Sequence, residues 1–132
     1  MEKLKLSEIT PYLGATYNKD AEFDSVCIDT RKITKGCLFI CIKGERFDAH
    51  QFADEALSLG ASAVMIHSDI EPNGAYIKVD DTAKAMLRLS GYYRSKFDIP
   101  VIGLTGSVGK TTTKEFTHLV VSAKYNAIKT LG

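Results

Sequence analysis

The chain has no long apolar run. Its longest, Cys37 to Ile42, is six residues, against the roughly twenty that a bilayer-spanning helix needs, so no membrane insertion is expected. Met1-Glu2-Lys3-Leu4-Lys5 lacks the apolar core of a secretory leader. There is no surplus of charge either: 17 basic residues face 16 acidic ones, interspersed, for a formal net charge of +1. That leaves no basic stripe for nucleic acid and no polybasic tract for a membrane surface. Cysteine is scarce, with Cys27, Cys37 and Cys41 only. An odd count, all inside apparent strands, reads as buried free thiols. His50 and His67 show no paired spacing, so zinc is not expected. Internal repeats and low-complexity linkers are also missing. What remains, 45% apolar and 25% charged, is the composition of an ordinary globular protein, expected in the cytoplasm.

The apolar periodicity divides the chain into alternating elements. Ser7 is placed as the cap of a short helix to Leu13, with Leu6, Ile9 and Leu13 inward and Gly14 as its stop. Ser25–Asp29 reads as a strand. Cys37–Ile42 reads as a second, covered on both faces, with Cys37 and Cys41 sharing one of them. Ala49–Leu59 reads as a helix with Phe52, Ala53, Ala56 and Leu59 inward. Ala63–Ile66 and Tyr76–Val79 read as short strands. Asp81 caps a helix to about Lys96 that buries Ala85, Met86, Leu89, Tyr92 and Tyr93. The fold class is therefore α/β. Residues 1–98 are expected to form a small mixed-sheet domain of independent size, and residues 99–132 the first strand, phosphate loop and helix of another.

The second segment carries the most specific motif. Ile99–Leu104 reads as a buried strand, and Phe116, Leu119, Val120 and Ala123 share one face of a following helix. Between them lie Gly106, Ser107, Val108, Gly109, Lys110, Thr111 and Thr112. A triphosphate is held by several backbone N–H groups aimed at one point. Glycine permits that approach, and the start of a helix adds positive potential. Lys110, the candidate catalytic residue, would reach the β- and γ-phosphates, and the Thr111 hydroxyl would ligate Mg²⁺. The spacing is shorter than the standard pattern, which wants glycine where Leu104 stands.

A second constellation lies in two loops. One holds Asp29, Thr30 and Arg31; the other runs from Lys43 and Gly44 through Phe47 and Asp48 to His50. If the preceding strands are neighbours, both loops open on one pocket. Arg31 and Lys43 would then pair with phosphate oxygens, Thr30 with a base or sugar edge, and Phe47 would offer a stacking face. The alternative is a structural Asp29–Arg31 ion pair, a solvated turn, and Phe47 as a core plug. His50 reads as a polar helix-start residue with no evident partner.

Together the two constellations resemble the Mur ligases. Asp29-Thr30-Arg31 and the run from Lys35 to His50 look like that family's amino-terminal domain; Thr105 to Glu115 looks like the ATP loop of its central domain. Val108 stands where many members carry Asn. Lys114-Glu115 favours the branch that joins D-alanyl-D-alanine to UDP-N-acetylmuramoyl-tripeptide over the branch that adds the third peptide residue. The resemblance implies that Thr30, Arg31, Lys43, Gly44, Asp48 and His50 serve the UDP-linked substrate, and that ATP and Mg²⁺ bind at Gly106 to Thr112. It also implies amide formation through an acyl phosphate. A stand-alone UDP-sugar-binding module is the rival of another class. The family's further metal ligands and third domain have no counterpart in the 132 residues. The chain is therefore expected to be an amino-terminal fragment, inactive alone, whose last segment is mobile, docked on the first domain or self-associated.

Overall fold

A computed structural model describes residues 1–131 and divides into two compact units, Met1–Phe97 and Asp98–Gly132. In the first unit the chain order is β1 (Leu4–Lys5), α1 (Leu6–Leu13), β2 (Thr16–Tyr17), β3 (Glu22–Phe23), β4 (Ser25–Cys27), β5 (Cys37–Ile40), α2 (Ala53–Ser58), β6 (Ala63–Ile66), β7 (Tyr76–Lys78) and α3 (Thr82–Ser95). Five strands form a mixed sheet in the order β2-β7-β6-β5-β4. The neighbours from β4 to β7 are parallel, and β2 runs antiparallel on the β7 edge. β1 and β3 make a separate antiparallel ribbon.

Alternation along β5 explains the layers. Leu38 and Ile40 join Leu6, Ile9, Leu13, Ala85 and Leu89, so one face of the sheet packs on α1 and α3. Cys37, Phe39 and Cys41 join Ala53 and Ala56 on the face covered by α2. Because both faces are covered, β5 and β6 are buried at every position and read as unbroken apolar runs. α3 is capped by Asp81, whose carboxylate accepts the Lys84 N–H at 3.0 Å. It is tied to α1 by Tyr92, which donates to Glu8 Oε1 at 2.6 Å.

Four expectations change. Ser7 is not the cap of α1. It lies inside the helix, where its N–H (2.9 Å) and its hydroxyl (2.8 Å) both donate to Asp20, so a carboxylate from the loop after β2 serves the open helix end. Helix α2 is shorter than expected, because residues 49–52 form a 3₁₀ turn first. Leu59, just past its end, is exposed, whereas Ala53 and Ala56 are buried. Met86, Tyr92 and Tyr93 are only partly buried, along the rim of the α1–α3 contact. In the second unit the regular element among the described residues is α4 (Lys110–Ser122). Ile99–Leu104 forms no regular strand there, and its apolar side chains are largely exposed. The apolar face of α4, with Phe116, Leu119 and Val120, is exposed as well.

Candidate functional site

Strands β4 and β5 are adjacent and parallel, so the loops at their carboxyl ends open side by side, the usual place for a ligand in a parallel sheet. A cavity of about 430 Å³ lies there, lined by Ile28, Asp29, Thr30, Arg31, Phe39, Phe47, Ala49 and Phe52. Thr30 and Arg31 sit where expected. Arg31 is locked in a two-pronged pair with Asp29: its Nε donates to Oδ1 at 2.9 Å and its Nη2 to Oδ2 at 2.8 Å. Those bonds hold the Asp29 carboxyl down at about 2. The structural ion pair is thus real, and it leaves the Arg31 side chain largely exposed beside the cavity, with guanidinium N–H groups beyond the two that Asp29 takes. Phe47 is not a core plug: it is 56% exposed and stacks on Phe52 with ring centroids 5.4 Å apart.

The other four predicted residues build the wall rather than line the cavity. The loop from Lys43 to Asp48 closes on itself: Gly44 N–H donates to the Phe47 carbonyl at 2.8 Å, and Lys43 Nζ lies 3.7 Å from Asp48. Asp48 caps the following 3₁₀ turn by accepting the His50 N–H at 3.0 Å. Its carboxyl is held below the ordinary range, chiefly by that N–H, then by the His50 ring, with Lys43 a smaller cause.

His50 does start a helical turn, as expected, but it has partners that the sequence did not show. It is buried, with Nδ1 2.5 Å from Asp48 Oδ1, and its Nε2 accepts the backbone N–H of His67 at 3.0 Å. His67, 17 positions later, meets it edge-on with ring centroids 4.3 Å apart. The His67 Nδ1 lies 3.0 Å from the Thr82 hydroxyl, which itself donates to the Cys41 carbonyl at 2.8 Å. The ladder between β5 and β6 last closes where Cys41 N–H meets the Met65 carbonyl at 2.9 Å. The next parallel rung would join the His67 N–H to the Cys41 carbonyl. Two side chains take those groups instead, His50 the donor and Thr82 the acceptor.

Sequence reasoning also missed Ile28, Phe39, Ala49 and Phe52 as cavity walls. Phe39 was legible in principle, since alternation puts it on the α2 face with Cys37 and Cys41.

In the second unit, Gly109 is the residue just before α4. Its φ of +79° is left-handed, as is the +151° of Gly106, and both positions favour glycine on conformational grounds. Lys110 Nζ donates to the Gly106 carbonyl, so the ammonium lies across the loop. The Thr113 N–H closes the first helical bond to Gly109 at 2.9 Å, which leaves the N–H groups of Lys110, Thr111 and Thr112 at the open helix end. Ser107 to Thr112 are exposed.

Residues 22–94 match the Mur ligase family, catalytic domain; the match ends before the glycine loop. The chain is 41% identical, over all of its length, to the UDP-N-acetylmuramoyl-tripeptide–D-alanyl-D-alanine ligase of Escherichia coli (strain K12), of which it spans 29%. Its fold superposes with a TM-score of 0.84 on a crystal structure of MurF from Acinetobacter baumannii, at 30% identity, covering 93% of this chain and 28% of that one. A MurF ligase from Thermotoga maritima in complex with ADP gives a TM-score of 0.75 at 32% identity, covering 82% of this chain and 25% of that one. The chain thus spans under a third of the length of the relatives it matches.

Proposed function

The chain belongs to the Mur ligase family, and from that premise we propose that it is the substrate-recognition part, with the first ATP-loop segment, of an amide ligase that joins D-alanyl-D-alanine to UDP-N-acetylmuramoyl-tripeptide. The observation that carries this reading is the cavity at the carboxyl ends of β4 and β5, with a fixed guanidinium and a hydroxyl at one side and an exposed ring at the other. Arg31 meets diphosphate oxygens through the N–H donors that Asp29 leaves open. Phe47, braced on Phe52, offers a flat face to a uracil ring. Thr30 supplies a hydrogen bond at the base or ribose edge.

At the second unit the reading is a phosphate cradle for ATP. The open N–H groups of Lys110, Thr111 and Thr112 converge on an anion at the positive end of α4. The Lys110 ammonium leaves the Gly106 carbonyl for the terminal phosphates. The chemistry of the donor set suits Mg²⁺ only as a phosphate-bound ion. Thr111 offers one hydroxyl, and no group of three or more acidic, histidine or cysteine residues that would hold a metal occurs among the described residues. The ion supplies charge neutralisation on the phosphates when bound. In the whole ligase the substrate carboxylate would take the terminal phosphoryl group, releasing ADP, and the amine of the dipeptide would then displace phosphate to form the amide. The 132 residues alone are expected to turn over no ATP, because the loop lacks an enclosed, water-excluding site.

Calorimetric titration tests the reading. UDP and UDP-N-acetylmuramoyl-tripeptide should both bind, and Arg31→Ala should weaken both. ATP should compete with neither and should lose its own binding on Lys110→Ala. A chain that binds ATP but neither uridine ligand would sink the assignment of the first unit.

A further inference from the structure

Each nitrogen of the His50 ring has a protein partner. A backbone N–H only donates, so the bond from His67 requires a lone pair on His50 Nε2. The ring proton therefore sits on Nδ1, where it is donated to Asp48. By the same logic the Thr82 hydroxyl spends its proton on Cys41, so it accepts from His67 Nδ1–H. The chain of bonds runs from Asp48 through His50, His67 and Thr82 to Cys41. It joins the loop that carries Phe47 to the ends of β5 and β6 and the first residue of α3. The His50 side chain is 5% exposed, with no donor or acceptor left for a ligand.

We propose that His50 is a positioning residue: it pins the Lys43–His50 loop to the carboxyl end of β6 and so holds Phe47 and Ala49 as a fixed wall of the cavity, without touching what binds there. The proposal rests on the reading of that cavity as the uridine diphosphate site. It differs from the direct substrate contact that the family resemblance implies for this residue. The loop's own bonds close a turn but do not anchor it to the sheet. Ala49 N–H to the Ile42 carbonyl at 3.1 Å ties it to the segment just after β5, and the His50 Nε2 bond ties it to β6. Losing the second leaves Phe47 free to swing with the turn.

Two substitutions separate the two ends of the ring. His50→Gln keeps an acceptor at the Nε2 position and loses the Asp48 bond; His50→Asn keeps a donor near Asp48 and loses the reach to His67. With UDP as the probe, His50→Gln should stay within about threefold of the parent dissociation constant. His50→Asn should weaken it by about tenfold or more, the scale of one lost buried bond. The nuclear Overhauser contact between the Phe47 and Phe52 rings should survive in the first variant and fade in the second. Equal losses in both, or an unchanged affinity in His50→Asn, would overturn the proposal. So would a direct Overhauser contact from UDP to the His50 ring. Should either variant fail to fold, ring nitrogen spectra of the parent protein decide. A pyrrole-type Nδ1 and pyridine-type Nε2 on His50 support the tie, and a protonated Nε2 refutes it. Should the parent protein not bind UDP at all, the site reading fails. The Phe47–Phe52 contact in the two variants then judges the positioning role by itself.

Discussion

Thr82→Val replaces a buried hydroxyl by a methyl of nearly the same shape. Thr82 is 1% exposed, and its oxygen both donates to the Cys41 carbonyl and accepts from the His67 ring. The carbonyl is the costly loss, because its ladder partner, the His67 N–H, is turned to His50. An orphaned buried acceptor costs about 1–3 kcal/mol; the His67 ring Nδ1–H, on a partly exposed side chain, recovers a water, so about 2 kcal/mol is expected in all. For a unit of this size that is about 8–16 °C in melting temperature, at roughly 4–8 °C per kcal/mol. Thr82→Ser keeps both bonds and loses one methyl, for about 1 kcal/mol and about half the shift. Far-ultraviolet circular dichroism melts of the two variants beside the parent measure this. If valine melts with the parent and serine falls below it, the hydroxyl is not holding the parted strands and the argument fails.

A chain cut after Asp98 should keep a cooperative thermal transition, since both apolar clusters lie within residues 1–97; loss of its near-ultraviolet signal would refute the boundary. Thiol reagents should label Cys27, which is half-buried, while sparing Cys41, whose pKa burial pushes up to about 12; mass mapping of partially labelled protein gives the order. Burial, and secondarily the neighbouring His50, lowers the His67 pKa. The unfolded chain thus binds the extra proton first, and the stability held by neutral His67 is complete above the ordinary histidine value of about 6.5 and is lost as pH falls below it. Urea midpoints should drop between neutral pH and pH about 5, and His67→Gln should flatten that slope; an unchanged slope would show that His67 is not responsible.

The buried strands were readable because they are covered on both faces, which leaves no polar position to blur the run. Helix α3 was readable because Asp81 caps it locally. The cap of α1 was not, because Asp20 reaches it from thirteen residues away. β1, β2 and β3 are two residues each, too short for any period to register. The place of Thr30 and Arg31 beside the cavity was readable because they follow a strand. The pairing of His50 with His67 was invisible for a different reason. It depends on how far β6 runs past β5, a register that no local spacing records. Ile99–Leu104 shows the converse error: an apolar run suggests burial but says nothing about which strand will pair with it.

Whether the cavity beside β4 and β5 takes the uridine diphosphate end of the substrate is decided by backbone chemical shifts during a UDP titration. Shifts should concentrate at Ile28–Arg31, Lys43–Ala49 and Phe52 and saturate together with one dissociation constant. Shifts scattered over the first unit, or confined to Gly106–Thr112, would contradict it.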